Sequence, residues 1–244
     1  MKTIEATWEN RNLGVETKEF EFEPSDSIAT IDLVDKDTFE YGVLKIPSTR
    51  PDALLYAQKR NYILIEDIHN LICTINKLEI SKQYSGLLHR IRFSEANDNE
   101  IYYILQTMKS GTTYTTDRIA IDPFWGQKIS GLRYYNWVQD LLKKDNSMVF
   151  VSYVKEKIAG YNVSEITENG IHGILGAVMP DVKAVGLGLA VHYFPIGYAK
   201  EHHINRVYTS VSSNNLNSLR SALAVGYQIA NIDYVLIKHR TEIK

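Results

Sequence analysis

The chain has 244 residues, 44% hydrophobic and 23% charged, with a formal net charge of −2 and a pI near 6.4. That length buries a real core as one large domain or two small ones, and the charge gives no basis for non-specific binding to nucleic acid or to a membrane surface. The single cysteine, Cys73, excludes an internal disulfide and fits a reducing compartment.

The opening MKTIEATWEN has no apolar run after its lysine, so it does not read as a signal peptide. No stretch approaches the roughly 18 apolar residues of a membrane span, and the expected location is the cytoplasm. Cys73 sits among Leu71, Ile72 and Ile75, as a core thiol would. Two polar stretches, Ser94 to Glu100 and Lys109 to Thr113, place a boundary between an N-terminal α/β domain (1–105) and a second domain (106–244).

The second half alternates strand and helix signals. Met148 to Val154 and Ile158 to Ile166 read as strands joined by the turn Lys155-Glu156-Lys157, and a turn at Glu168-Asn169-Gly170 leads to Ile171 to Val178. That last strand is apolar enough to expect burial on both faces. Gly186 to His202 reads as a helix packed on a sheet, with Pro195 expected to kink it. Arg206 to Val211 is a strand, Leu216 to Val225 a helix opened by Asn214 and Asn215 and closed by Gly226, and Gln228 to Lys238 a final strand. The fold class is α/β (α+β), a mixed sheet with helices on its faces.

The first half echoes this ending. Leu54 to Leu64 matches Leu219 to Ile229, a helix ending in Asn or Gly followed by a tyrosine that opens a strand. Either any helix–turn–strand unit would match so, or the N-terminal domain is a degenerate copy of the C-terminal one.

Val185-Gly186-Leu187-Gly188 follows a strand and opens a helix. Backbone N–H groups there lack intrahelical partners and sit at the positive end of the helix dipole, and glycines let a phosphate approach closely. A pyrophosphate is a natural ligand; a tight turn shaped by sterics alone is the other reading. No third glycine completes a dinucleotide fingerprint, and no Gly-Lys-Ser/Thr completes a triphosphate loop.

The spacing from Lys183 to Gly188 resembles the Q/R-x-x-G-x-G/A motif of the GNAT N-acetyltransferases, and Asn215 to Tyr227 is similar to their N-x-x-A-L-x-x-Y-x-x-x-G-F segment. The rest of the chain, through Thr7-Trp8-Glu9-Asn10 and Ser130 to Val138, is similar to members acting on the 4-amino group of nucleotide-linked deoxysugars for surface polysaccharide. The resemblance implies a mostly antiparallel central sheet and acetyl-CoA as acyl donor. It places the cofactor at Ala177, Val178 and Met179, at Lys183, Ala184, Val185, Gly186, Leu187, Gly188 and Leu189, and at Asn215 and Ser218. The tyrosine that would protonate the departing thiolate is replaced by Ala222.

Amine acetylation needs a base for the amine and donors that polarise the carbonyl. Glu165 and His172, on neighbouring strands, are candidate bases; His192, Tyr193 and Tyr227 are candidates for the missing acid, with Tyr227 kept in the catalytic set. Each also has a structural reading. Arg118, Trp125, Arg133 and Tyr134 fall where the family roofs its acceptor, and would suit a phosphate and a sugar or base. Surface ion pairs and core aromatics are the alternative for them. No metal is expected, since His202-His203 face different ways on a helix.

The expected activity is acetylation of a small-molecule amine, most specifically a nucleotide amino sugar. Acetylation of another small amine or a peptide N-terminus is the alternative, as is a non-catalytic CoA-binding module. The oligomeric state stays open, a homodimer included.

Overall fold

A computed structural model describes residues 1–182 and 184–240. The first half supplies β1 (Lys2–Glu5), α1 (Thr7–Leu13), β2 (Thr17–Glu21), α2 (Thr30–Val34), β3 (Tyr41–Pro47), α3 (Pro51–Gln58), β4 (Ile63–Thr74), α4 (Lys82–Leu88), β5 (Arg92–Glu95) and α5 (Asp98–Lys109). The second supplies α6 (Arg118–Ile121), α7 (Gln127–Leu141), β6 (Ser147–Val154), β7 (Lys157–Thr167), β8 (Gly170–Val178), α8 (Leu187–Glu201), β9 (Arg206–Ser212), α9 (Leu216–Ala224) and β10 (Gln228–His239). The ten strands form one sheet in the order β1-β2-β3-β10-β4-β9-β8-β7-β6-β5. Only β2 with β3 and β8 with β9 pair in parallel, so the mixed, mostly antiparallel sheet is the expected one.

The echo between the halves extends well past the eleven residues that match in sequence. Adding 165 (228 minus 63) to β3 and β4 gives the bounds of β9 and β10, and adding it to the first residue of α3 gives the first of α9. The Tyr62 N–H donates to the Ala57 carbonyl at 3.2 Å, and the Tyr227 N–H donates to the Ala222 carbonyl at 3.2 Å. Asn61 and Gly226, which end the two helices, both have positive φ (64° and 103°). Even the bulges correspond: the β4–β10 register skips Ile65 in one strand and Ala230 in the other. The two β-α-β units are interleaved. β10 lies between β3 and β4, and β4 lies between β10 and β9.

Residue 105, the expected division, falls within α5. The polar stretch before it ends β5 and caps that helix, with the Asn97 side chain accepting from the Glu100 N–H and the Glu100 carboxylate from the Asn97 N–H. β8 departs from the expectation of two buried faces. Gly170, Ile171 and Gly173 are buried, but His172 is exposed and Ile174 to Val178 are half-buried, because that end of the strand borders a cavity. α8 runs from Leu187 to Glu201 as one helix through Pro195.

One apolar core lies beneath α8 and α9 and contains Cys73, Ala190, Ile196, Ala222 and Tyr227. Another, around Phe20, Leu44, Ala57 and Leu236, packs α2 and α3 on the first half. A third seats α5 and α7 against β6 to β8 through Met108, Val138, Val151 and Tyr161. No described helix is long and apolar enough to cross a membrane.

Candidate functional site

β8 and β9 stay together for only three residue pairs, from Ile171–Val207 to Gly173–Thr209. The Thr209 hydroxyl donates to the Gly173 carbonyl at 2.8 Å and closes the last shared step. Beyond it β8 continues against β7, and β9 continues against β4, so a cleft opens between two strands running the same way. The corresponding seam of the first half is shut. β2 and β3 pair along five positions, Phe22 then adds a bond to the Lys45 carbonyl at 2.9 Å, and Arg50 at the start of α3 donates to the Pro24 and Asp26 carbonyls.

Each of the two parting strands leads into a helix, β8 into α8 and β9 into α9. Gly186 takes φ +92° at the N-cap of α8, a conformation that disfavours a side chain, and the first Gly186 carbonyl bond comes from the Ala190 N–H at 3.0 Å. The amides between them are those a helix leaves over at its start, where its dipole favours an anion. Gly188 answers a different need. A Cβ there would come within 2.7 Å of the Ser221 Oγ, so its bare backbone lets α8 pack against α9. Asn215 caps α9 with its side-chain oxygen on the Ser218 N–H at 3.2 Å. The Ser218 hydroxyl meets His192 Nε2 at 2.8 Å and ties the two helices together. Burial lowers the His192 pKa to about 4, so its imidazole is neutral near pH 7.

The cleft leads into a cavity of about 540 Å³ bordered by Ile174, Leu175, Gly176, Val191, His192, Asn215 and Ser218 at one end. Its floor is one face of the central strands. A row of Glu21, Lys45, Val235 and Glu66 crosses β2, β3, β10 and β4 in register. Beside it Ser210 donates to Asn70, and Asn70 donates to Asp233, both at 2.7 Å. The roof is α6, α7 and the segment before them, with Tyr114, Asp117, Arg118, Arg133, Tyr134 and Trp137.

Behind the roof lies a compact charge network. Glu9 is fully buried and accepts two bonds from Arg133 Nε, at 2.7 and 2.8 Å, and one from Arg118 at 2.9 Å. Glu19 accepts from Arg118 at 2.6 Å and from Lys45 at 2.8 Å. Burial alone would raise the Glu19 carboxyl, but Arg118 and then Lys45 outweigh it and hold its pKa at about 2.

The sequence-derived candidates divide among these places. Asn215, Ser218, Arg118, Arg133 and Tyr134 border the cavity, although both arginines are committed to Glu9 and Glu19. Trp125 packs on Tyr41, Phe124 and His239 instead. Ala177 and Val178 flank the cleft half-buried, while Met179 is buried with its N–H on the Ala159 carbonyl. Ala184 and Val185 are exposed, and Leu187 and Leu189 are core residues. Lys183 lies outside the described residues. Glu165 and His172 pair with each other near the β7–β8 turn, away from the cleft's open end, and Glu165 accepts from Lys144 at 2.7 Å. Tyr227 is buried and donates to the His192 carbonyl at 3.4 Å. Among the described residues no three metal-ligating side chains cluster.

Glu66, Asn70 and Asp233 were not singled out by motif. Their signal is a strand pattern: polar side chains on one face of strands that the topology pairs on both sides, where only a cavity can receive them.

No protein family profile and no curated protein matches the chain. Solved structures do. A protein of unknown function from Staphylococcus epidermidis is similar over 93% of this chain and 85% of its own, at 12% identity and a TM-score of 0.63. A GCN5-related N-acetyltransferase from Sphaerobacter thermophilus is similar over 93% and 75%, at 14% identity and a TM-score of 0.62. A tandem GNAT protein from the clavulanic acid biosynthesis pathway is similar over 95% and 77%, at 9% identity and a TM-score of 0.56. At such identities the likeness is one of fold: the chain has the fold of the GCN5-related N-acetyltransferases.

Proposed function

We propose that the second half of the chain binds acetyl-CoA and transfers its acetyl group to an amine held in the cavity. One observation carries this reading: β8 and β9 part after Gly173–Thr209, and the cavity beyond is bordered by Ile174, Leu175 and Gly176 of the freed β8 and by Val191 and His192 of α8. The unpaired edge of β8 offers backbone groups to the amides of a pantetheine arm, and the start of α8 offers its amides to a pyrophosphate. Asn215 and Ser218 border the same cavity, which supports a contact between them and that arm.

The amine's lone pair attacks the thioester carbonyl carbon, and collapse of the tetrahedral intermediate breaks the C–S bond. Fixed N–H donors in the cleft would stabilise the oxyanion. The thiolate needs a proton, and α9 holds no acid for it at Ala222. His192 is neutral and tied to Ser218, and burial pushes Tyr227 well above its usual range. The nitrogen of the intermediate, still protonated, is the nearest source, directly or through water.

The sequence resemblance favours an amino-deoxysugar linked to a nucleotide as acceptor, and the cavity volume suits a sugar-sized group. Calorimetric titration with acetyl-CoA tests the donor: binding at micromolar ligand is expected, and none at millimolar ligand overturns the reading. Thiol release with nucleotide amino sugars, simple amines and a free peptide N-terminus then separates the acceptors. Binding without any turnover would favour a CoA-sensing module instead.

A further inference from the structure

Glu66 is 6% exposed, borders the cavity, and its Oε2 has no hydrogen-bond partner among the described residues. A buried carboxylate oxygen without a donor is costly to fold. The cations nearby do not relieve it by contact, since Arg133, Arg118 and Lys45 donate to Glu9 and Glu19. Nor does the neighbouring backbone, which is used in joining β4 to the end of β9. There the Ser213 N–H donates to the Asp67 carbonyl at 2.7 Å, the Asp67 N–H to the Ser213 hydroxyl at 2.9 Å, and Asn214 to the Ile65 carbonyl at 3.3 Å.

Those contacts fix where Glu66 stands. It is on the strand beside the Ser212–Asn215 turn, and Ser212 and Asn215 border both the cleft and the cavity. Asp233, on β10, is its diagonal neighbour on the same face of the sheet, at about 7–8 Å by sheet geometry. Asp117 adds a carboxylate from the roof. The cavity thus presents the carboxylates of Glu66, Asp233 and Asp117 beside the guanidinium groups of Arg118 and Arg133, which also serve Glu9 and Glu19. These carboxylates favour a cationic group on the ligand.

We propose that Glu66 binds the ammonium group of the acceptor, a primary amine, and takes its proton. The inference rests on the acetyl-transfer reading for its chemistry. R–NH3⁺ gives one proton to the Glu66 carboxylate, and the amine so formed attacks the thioester carbon. The C–S bond breaks as the amide forms, the second nitrogen proton goes to the thiolate, and Glu66 releases its proton to water at the cavity mouth. Burial raises the Glu66 pKa against the opposing effects of Ser212 and Arg118, which makes it a stronger base than a surface glutamate. Of the other groups that face it, Asp117 raises the Glu66 pKa and Arg133 lowers it, while Tyr134, pushed up by burial, stays neutral near pH 7.

Two titrations and one rate separate the claims. Calorimetry of the full chain with 1,4-diaminobutane or glucosamine, without acetyl-CoA, is expected to show binding that Glu66→Gln weakens at least tenfold. The same variant is expected to bind acetyl-CoA as the wild type does, to lose about 10²–10⁴-fold in turnover, and to lose the acid limb of kcat/KM against pH; Glu66→Asp restores part of both. Amine binding that is absent from the wild type, or unchanged in Glu66→Gln, overturns the inference whatever acetyl-CoA does. Failure of acetyl-CoA to bind instead overturns the transfer reading, and the amine titration still judges Glu66 as an ammonium site.

Discussion

The side chain of Asn162 supplies the N–H that Pro195 lacks. In a regular helix the Val191 carbonyl would accept from residue 195, which here is proline; Asn162 Nδ2 donates to it from β7 at 3.0 Å. This satisfies the carbonyl next to His192 and lets α8 continue unbroken. Asn162→Ala is expected to cost about 1–3 kcal/mol in chemical denaturation, the usual penalty for an orphaned buried acceptor. In a Pro195→Ala background, where the backbone donor returns, the same substitution should cost clearly less. Equal costs in the two backgrounds would show that the carbonyl needs no partner.

Gly131 lies where α7 crosses the end of α5. A Cβ there would meet the Gly111 Cα and the Met108 carbonyl oxygen, both at 2.6 Å. These are backbone atoms, so they yield only by moving a helix. Gly131→Ala should lose about 1–3 kcal/mol, where an ordinary helical position would gain from the same change. It should also weaken amine binding more than acetyl-CoA binding, because α7 carries the cavity roof.

Glu9 holds both roof arginines. Glu9→Gln leaves two buried guanidinium groups short of a counter-charge, and a loss of about 3–5 kcal/mol is expected. Glu19 adds a pH signature. Its pKa is lowered to about 2 from a reference of 4.5, so its contribution is present above the unfolded value and lost as pH falls through the folded one. Urea midpoints should drop between about pH 4.5 and 2, and Glu19→Gln should flatten that drop.

Glu66 acts with the opposite sign. Its folded pKa is raised, so the folded state disfavours its charged form, and the charge lowers stability at neutral pH. Glu66→Gln is expected to raise the melting temperature at pH 7 while it slows amine turnover by about 10²–10⁴-fold. The gain should shrink as pH falls through the folded pKa toward the unfolded one, and vanish below it, where Glu66 is protonated in both states. A lower melting temperature at pH 7 would show that Glu66 supports the fold.

Much of the second half was legible because strands, caps and turns there obey local rules. Asn215 and Gly226 mark the ends of α9 in sequence and in space. The site was only partly legible. Gly188 reads as a phosphate glycine, and its nearest constraint is Ser221 on another helix. Arg118 and Arg133 read as anion ligands, but their partners Glu9 and Glu19 lie about a hundred residues earlier, and no local pattern ties them together. Glu66 reads as one acid in an ordinary strand. It faces the cavity only because β4 is inserted between β9 and β10, a pairing that depends on the whole chain.

The interleaving of β4 and β10 also orders events during synthesis. The first half emerges from the ribosome with β3 and β4 separated by a strand that does not yet exist, since β10 is made after every other strand. Until then those two strands present open edges, the kind that invite pairing with the wrong chain. Native structure in the first half therefore has to wait for the translation of residues 228–239, and a ribosome stalled before them should leave a nascent chain that proteases cut in both halves. The last strand of the sheet to be made is the one that the first half requires.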